Sequence, residues 1–237
     1  MKLGFIIPVY KNPEQLERCK KHIHDMTVNS NDHIEIFEYD NNEYNQGFTY
    51  AVNEGLKFFM EYDYCVVLNQ DCYIAEDFMV ELDKFMDAHP ACAIAGVKQI
   101  SDKDPDFIIH GGCLEAFPEG RHRAGRLSAG DCNKDKQMPW VNGACMVVNM
   151  SWLSTIGMMD ENYFLLGSDS DWCYTARMKG AEVWYAADIT VIHEQGGVSN
   201  SKASKELEYK KVLDMVYFRD KWIGDGVFRE LSQEVFG

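Results

Sequence analysis

The sequence predicts an α/β fold in which a mostly parallel central sheet is flanked by helices. The first hundred residues alternate between short apolar strands and amphipathic helices, in the order β-α-β-α-β-α-β. Strands joined by helical crossovers lie parallel in one sheet. The composition is that of an ordinary globular chain, since 46% of the 237 residues are hydrophobic and 26% are charged.

The first strand is predicted over "LGFIIPVY" and ends at Pro8. The next segment, "KNPEQLERCKKHIHDM", predicts a helix with Asn12 as N-cap, Pro13 as the first helical residue and Gln15 completing a capping box. Its apolar residues recur at helical spacing. They are Leu16, Cys19, Ile23 and Met26.

Two further strand and helix pairs follow. "HIEIFEYD" alternates between apolar and polar residues and predicts a second strand, which the polar loop "NNEYNQG" separates from the helix "FTYAVNEGLKFFM". "YCVVL" predicts a buried third strand that ends in Asn69, Gln70 and Asp71. The helix "AEDFMVELDKFMDA" and the strand "CAIAGV" complete the series.

The second half of the chain has a different character. Residues 101–139 are rich in glycine and charge, and predict a long excursion or a hairpin, a length of loop that is usually functional or disordered. "WVNGACMVVNM" predicts a strand, Ser151 caps a helix after it, and "DSDWCYTARMKG" predicts a short helix closed by Gly180. "EVWYA" and "ITVIH" predict two more short strands. We therefore expect one domain over residues 1–200, with a C-terminal helical tail over residues 201–237 packed on it.

Three of the predicted strands end in polar residues. These ends are Pro8 to Tyr10, Asp40 to Asn42, and Asn69 to Asp71. The carboxyl ends of parallel strands meet at one rim, where open α/β sheets bind their ligands. The sequence therefore predicts a binding site at this rim.

Charge and hydropathy exclude several classes of function. The net charge of −15 would repel bare nucleic acid, so a phosphate-bearing small ligand would need a local cation. No apolar run reaches the ~20 residues that cross a bilayer, and Pro8 interrupts the first one too early for a signal peptide. We expect a cytoplasmic protein, at most peripheral to a membrane.

The eight cysteines are irregularly spaced and include no C-x-x-C pair. Several lie within apolar segments, where a free cysteine behaves as a small hydrophobic residue. Without an export signal, reduced thiols are favoured over disulfides. The spacing does not favour a zinc cluster, which usually uses closer pairs.

Six stretches, taken in order, carry a resemblance to a known family. They are "IIPVYKN", "YDNNEYNQGFTYAVNEGL", "VVLNQDCYI", "WVNGACMVVN", "DENYFLLGSDSDWCYTARMKGAEVWYA" and "ITVIHEQGG". This order resembles family 2 glycosyltransferases of the GT-A fold, in particular rhamnosyltransferase-like members, over about residues 3–198. The resemblance implies a Rossmann-like nucleotide-sugar-binding fold and inverting transfer of a sugar to an acceptor hydroxyl, in polysaccharide or glycoconjugate synthesis.

The resemblance also implies where the nucleotide-diphosphate donor binds. UDP is the first choice of nucleotide, followed by dTDP and GDP, because a carboxylate at the end of the second strand can accept from the uracil imide. The implied donor-binding residues are Pro8, Tyr10, Asp40, Asn41, Asn45, Gly47, Asn53, Asn69 and Gln70.

A divalent cation, Mn²⁺ or Mg²⁺, is implied on the donor diphosphate. The family holds it with an Asp-x-Asp motif after the third strand, and here that motif is Asn69-Gln70-Asp71, with one carboxylate. Such cations bind oxygen ligands and use few carboxylates besides the substrate phosphates. Asp71 is the implied ligand, and His193 matches a family histidine that completes the site.

The acceptor half is implied by "GSDSDWCY", where Asp169 occupies the position of the general base and Ser168 replaces the usual Glu. Asp171 would cap the helix or brace the site. A glycan or glycoconjugate is the implied acceptor, and a lipid-linked saccharide, a protein side chain and a modified nucleobase also stay open, the nucleobase last. The residues expected around the donor sugar and acceptor are Asn142, Gly143, Ala144, Trp140, Trp172 and His110.

Other interpretations stay open at this point. Tyr10 would shield a sheet edge, Asp40 would sit in a solvated turn, and Asp169 would be a plain helix N-cap. A catalytically impaired nucleotide-sugar-binding protein is one functional alternative. A sugar nucleotidyltransferase is another, although no Gly-rich basic loop follows the first strand. The tail helix would either cover the core or pair two copies in a homo-oligomer.

Overall fold

The predicted strands assemble into one mixed sheet in the computed structural model, which describes residues 1–28, 30–114, 121–194 and 204–224. The prediction of an α/β fold is confirmed. The strands are β1 (Lys2–Val9), β2 (His33–Asp40), β3 (Tyr64–Leu68), β4 (Cys72–Ile74), β5 (Cys92–Ser101), β6 (Phe107–His110), β7 (Gly125–Arg126), β8 (Lys136–Gln137), β9 (Cys145–Asn149) and β10 (Glu182–His193).

Six α-helices flank this sheet within the described ranges. They are α1 (Pro13–Thr27), α2 (Phe48–Phe58), α3 (Phe78–Ala88), α4 (Leu153–Ile156), α5 (Ser168–Met178) and α6 (Lys205–Phe218). Short 3₁₀ turns cover Leu127–Ala129 and Met150–Trp152, and a π turn, Arg219–Ile223, continues α6. No helix in these ranges has the length and apolar character needed to cross a bilayer.

The strand order places the predicted site. The main path of the sheet runs β2-β1-β3-β9-β5-β10-β4. Strand β1 is parallel to β2 and β3, β9 is antiparallel to both β3 and β5, and β10 is parallel to β5. The carboxyl ends of β1, β2, β3, β5 and β10 therefore lie at one rim, where β9 begins.

The core has one layer on each face of the sheet. Successive strand residues point to opposite faces. Leu3, Phe5 and Ile7 of β1 accordingly pack with α1 and α3, whereas Ile6 packs with α2 and α5. The apolar positions of the helices thus fix which face each helix covers, and the polar strand ends are left at the rim.

Three local predictions are corrected by the structure. "EVWYA" and "ITVIH" belong to a single strand, β10, whose pairing with β5 shifts register between Ala186 and Thr190. Ser151 is not a cap, because the Asn149 side chain accepts from its backbone N–H and a 3₁₀ turn comes first. Asn12 makes no side-chain cap either, because its backbone is left-handed, with φ of 45°.

The excursion after β5 is in part a hairpin. β6 pairs antiparallel with β5 and with β7. Beyond β6 the two arms stay together, since Cys113 forms a bridge with His122 and Leu114 N–H donates to the Arg121 carbonyl at 2.9 Å. Residues 115–120, between the arms, lie outside the described ranges.

The described part of the predicted tail packs beside α5. Phe218 and Trp222 are buried in the same core layer as α5. Lys221 Nζ lies 2.8 Å from a carboxylate oxygen of both Asp160 and Asp171, and Trp222 Nε1 donates to Asp171 at 2.6 Å. Residues 201–203 and 225–237 of the predicted tail lie outside the described ranges.

We expect Lys221→Met to lower the free energy of unfolding by about 3 kcal/mol at neutral pH, because it leaves the carboxylate of Asp171, which is 2% exposed, without its cation. Burial raises the pKa of Asp171, and Lys221 opposes that rise. A carboxyl group with a raised pKa lowers the stability of the protein at high pH, where it is charged, and ceases to do so once it is protonated. The loss in free energy of unfolding should therefore shrink toward acid pH. Denaturant unfolding across pH measures both effects.

Lys84→Met is the matched control, since Lys84 forms only an exposed pair with Glu81 on α3. Its effect should stay below about 1 kcal/mol at every pH. Equal losses in the two variants would refute a structural role for the contact between Lys221 and Asp171.

Candidate active site

A pocket of about 510 Å³ opens at the carboxyl rim of the sheet. This volume is in the range of small-molecule sites. Fourteen of the residues predicted from the sequence line it. They are Pro8, Tyr10, Asn41, Asn45, Gly47, Asn69, Gln70, Asp71, Trp140, Asn142, Gly143, Ala144, Asp169 and His193.

The loop after β1 is held by Gln70. The Tyr10 backbone N–H donates to Gln70 Oε1 at 2.8 Å, and Gln70 Nε2 donates to the carbonyls of Lys11 and Asn12 at 2.8 and 3.1 Å. Lys11 and Asn12 both have positive φ, which is uncommon for residues other than glycine. The Gln70 side chain therefore ties the end of β3 to a strained turn and sets the position of Tyr10.

The loop after β2 forms the neighbouring wall. Asn41 Oδ1 accepts from the Gln46 N–H at 3.0 Å, and Asn45 Oδ1 accepts from the Gly47 N–H at 2.9 Å. Gly47 has φ of +91°, and a Cβ there would lie 2.3 Å from the carbonyl oxygen of Phe164. Only glycine fits this position, where α2 begins against the far wall of the pocket.

Asp71 and His193 form a carboxylate and imidazole pair. Asp71 Oδ1 lies 3.6 Å from His193 Nε2, and both side chains are mostly buried. The pairing of β4 with β10 sets Cys72 opposite His193, and the Glu194 N–H donates to the Asp71 carbonyl at 2.9 Å. This antiparallel register brings together two residues that are far apart in the sequence.

Gln99 orients the imidazole of His193 through its Nδ1 atom. His193 Nδ1 is 3.0 Å from Gln99 Oε1, which can only accept, so Nδ1 donates to it and Nε2 is the nitrogen that faces Asp71. Gln99 Nε2 in turn donates to Asn142 Oδ1 at 2.5 Å. A lone pair and a carboxylate oxygen that face one another suit a shared cation, and the second-layer hydrogen bonds match those of metal-binding histidines.

Asp169 lies near the start of α5, at another wall of the pocket. Its Oδ2 accepts from the Gly143 N–H at 2.9 Å and its Oδ1 from the Ser170 N–H at 2.8 Å. Burial raises the pKa of Asp169, and these two backbone donors oppose the rise. The N-cap of α5 is Gly167, so the interpretation of Asp169 as a plain N-cap is wrong.

Four predicted site residues lie away from the pocket lining. Trp172 is 1% exposed and donates to the Gly157 carbonyl, so no sugar can stack on it. Asn53 is buried against Met159 and Glu161, and Asp40 accepts from both nitrogens of Asn42 in an exposed turn. His110 is buried behind the wall that contains His122.

The structure adds lining residues that the sequence analysis missed. They are Gln15, Phe48, His122, Phe164, Leu165, Leu166, Gly167 and Leu207. Leu207 belongs to α6, which also supplies Asp214. The Asp214 carboxylate accepts from the backbone N–H groups of Phe164, Leu165 and Leu166, each at 2.8 Å. One buried side chain of the tail therefore fixes three residues of the pocket wall.

We expect Asp214→Ala to raise KM for substrate about tenfold and to lower the free energy of unfolding by about 2–3 kcal/mol, because three backbone donors lose a charged acceptor. Steady-state kinetics and denaturant unfolding measure the two effects. Asp220→Ala, at an exposed position in the π turn, is the control and should leave KM unchanged. Unaltered kinetics in Asp214→Ala would contradict a role in shaping the pocket.

Comparison with known proteins yields a family and a set of structural neighbours. The sequence matches the family described as glycosyltransferase like family 2 over residues 6–209. The match spans most of the chain, including every residue of the Asp71, His193 and Asp169 constellation. No curated protein sequence matches the chain.

Three solved structures resemble the fold at low sequence identity. The catalytic domain of Drosophila beta1,4-galactosyltransferase 7 with xylobiose has a TM-score of 0.55 and 15% identity, covering 89% of this chain and 79% of that one. The mannosyltransferase PcManGT of Pyrobaculum calidifontis, with GDP-Man and Mn²⁺, has a TM-score of 0.62 and 13% identity, covering 99% of this chain and 69% of that one.

The third neighbour is GalNAc-T7 with UDP, GalNAc and Mn²⁺. Its TM-score is 0.59 and its identity 12%, covering 92% of this chain. This chain spans about half, 49%, of the length of GalNAc-T7. At such identities the likeness shows a shared fold, and function has to be argued from the site.

Proposed function

From the premise that this chain belongs to the family 2-like glycosyltransferases and has the GT-A fold, we propose an inverting, rhamnosyltransferase-like enzyme. It moves a hexosyl or deoxyhexosyl group from a nucleotide-diphosphate donor to a hydroxyl of a glycan or glycoconjugate. The observation that carries the proposal is the pocket, whose walls present the Asp71 and His193 pair and the carboxylate of Asp169.

The nucleoside of the donor binds between the loops after β1 and β2. Tyr10, oriented through Gln70, offers an aromatic face, and Asn41 and Asn45 line the neighbouring wall. UDP, dTDP and GDP are the candidate nucleotides, because Asp40, whose carboxylate favoured UDP, lies outside the pocket lining. Asn53 and Asp40, which lie outside the lining, act on the donor only through the loops that they hold.

A divalent cation, Mn²⁺ or Mg²⁺, is required at the diphosphate. Among the described residues that line the pocket, none is lysine or arginine. Asp71 and His193 Nε2 would hold the cation, and the carboxylate and free lone pair that face each other fit such an ion. When bound, it neutralises charge on the departing nucleoside diphosphate. PcManGT and GalNAc-T7, which have the same fold, bind Mn²⁺.

Asp169 acts as the general base. The acceptor oxygen forms a bond to the anomeric carbon as the bond from that carbon to the diphosphate oxygen breaks, and the nucleoside diphosphate leaves with the electron pair. The acceptor proton passes to a carboxylate oxygen of Asp169, each of which retains a lone pair beyond its backbone hydrogen bond. One displacement inverts the anomeric centre.

The acceptor enters on the side of Trp140 and the loop that Asp214 fixes. Trp140 lines the pocket but is only 5% exposed, so it bounds this side of the pocket and offers little ring surface to a sugar. Gly143 brings its backbone close to Asp169, since a Cβ on Gly143 would lie 3.6 Å from the Asp169 Cβ. In this proposal residues 1–200 form the catalytic domain and the tail completes its acceptor wall through Leu207 and Asp214.

Thermal unfolding with a panel of nucleotides tests the donor half. We expect one of UDP, dTDP and GDP, added at about 100 times its Kd with Mn²⁺, to raise Tm by about 5 °C or more. The matching nucleoside monophosphate should show little dependence on Mn²⁺, because it lacks the diphosphate. If no nucleoside diphosphate stabilises the protein with either cation, the proposal is overturned.

A further inference from the structure

A second cluster of metal-ligating side chains lies behind the pocket wall that carries His122. Nδ1 of His110 is 2.7 Å from Nδ1 of His122, and Sγ of Cys113 lies 4.0 and 3.9 Å from these two nitrogens. The three ligand atoms all fall within 4.8 Å of one another. None of the three residues belongs to the Asp71 and His193 pair.

The two arms of the hairpin that follows β6 build this cluster. His110 ends β6, Cys113 continues the same arm, and His122 stands opposite Cys113 in an antiparallel bridge. Two backbone hydrogen bonds fix the register. The Gly111 N–H donates to the Arg123 carbonyl at 2.7 Å, and the Arg123 N–H donates to the Gly112 carbonyl at 2.8 Å. The ligand geometry is therefore set by backbone pairing.

We propose that His110, Cys113 and His122 bind one Zn²⁺-type transition metal ion, separate from the cation of the donor site. Two imidazole nitrogens and one thiolate are a donor set that selects zinc over Mg²⁺ or Mn²⁺. Around a tetrahedral zinc ion, bonds of about 2.0–2.3 Å place the ligand atoms about 3.3–3.6 Å apart. Movements of about half an ångström bring the three observed distances to these values.

The chemistry around the cluster agrees with a cation there. Neutral imidazole and thiolate are the forms that bind metal, so metal binding would release the thiol proton of Cys113. Two neutral imidazoles, one thiolate and Zn²⁺ leave a net charge of +1 in a protein of net charge −15.

Binding of the metal ion would hold one wall of the pocket in place. His122 lines the pocket, and its ring centroid lies 5.8 Å from that of Trp140. The metal ion would join both arms of the hairpin at this point and fix His122 and Trp140 on the acceptor side. Three protein ligands leave the fourth tetrahedral position for water.

Cobalt titration of the metal-free protein tests the proposal. Co²⁺ should produce a thiolate-to-cobalt charge-transfer band that saturates at about one equivalent and is removed by Zn²⁺, since cobalt takes zinc sites with the same ligands. Cys113→Ser should abolish the band and weaken Zn²⁺ binding at least about 100-fold. His122→Ala, at the accessible edge of the cluster, should weaken it comparably without disturbing the core.

Cys132→Ser is the matched control, because Cys132 is also buried and packs beside Gly111 of the same hairpin, outside the cluster. It should retain the band. The proposal is overturned if the parent protein gives no charge-transfer band, if the band survives in Cys113→Ser, or if Cys132→Ser removes it. Circular dichroism of each variant separates loss of the site from loss of the fold.

Discussion

Asp169→Asn is expected to lower kcat about 10³-fold while nucleoside diphosphate affinity stays within about twofold, because a general base acts only on the chemical step. The amide keeps an oxygen that can accept from the Gly143 N–H, so the wall of the pocket is retained. Single-turnover kinetics and calorimetric binding separate the two quantities. Asp83→Asn, on the exposed face of α3, is the control.

The pH dependence of kcat/KM is a second test of Asp169 as the general base. Since burial raises the pKa of Asp169, the acid limb of kcat/KM should lie at a higher pH than for a solvent-exposed aspartate. Below that limb the rate should fall tenfold per pH unit, because the base is protonated. Asp169→Asn should lose the limb. A variant that keeps its activity within tenfold, or keeps the limb, would remove Asp169 from this role.

Asp71→Asn is expected to lower turnover with Mn²⁺ about 10³-fold, because the pocket lining has no described lysine or arginine to replace a cation at the diphosphate. Unlike Asp169→Asn, it should also weaken nucleoside diphosphate binding in Mn²⁺, about 100-fold. With EDTA, parent and variant should bind equally weakly. Calorimetric titrations in the two buffers measure this difference.

His193→Gln should weaken cation binding less than Asp71→Asn does. The glutamine keeps a polar side chain but loses the Nε2 lone pair that Gln99 directs toward Asp71. We expect a loss of about tenfold in cation affinity. If Asp71→Asn binds nucleoside diphosphate with undiminished cation dependence, Asp71 is only a polar strand end.

The sequence was sufficient to place the rim of the sheet and most of the pocket. Parallel strands bring their carboxyl ends together, so Tyr10, Asn41 and Asp71 could be expected side by side before their distances were known. His193 was reached only through family resemblance, and its partner in space depends on the antiparallel register of β4 with β10.

Other parts of the site carried no local signal. Gln99 is one polar residue in a mostly buried strand, and Asp214 is one acidic residue in a charged helix, so neither stands out in the sequence. Trp172 was misplaced because α5 is buried around most of its circumference, and helical spacing then fails to distinguish the pocket face from the core face.

Release of nucleoside diphosphate by the unmodified protein is the most direct test of the central claim. UDP-, dTDP- and GDP-sugars are incubated with the protein without acceptor, in Mn²⁺ and in EDTA, and free nucleoside diphosphate is measured. We predict slow release from donors of one nucleotide in Mn²⁺ and none in EDTA. Tight nucleotide binding without release from any donor would contradict this prediction and favour a nucleotide-sugar-binding protein.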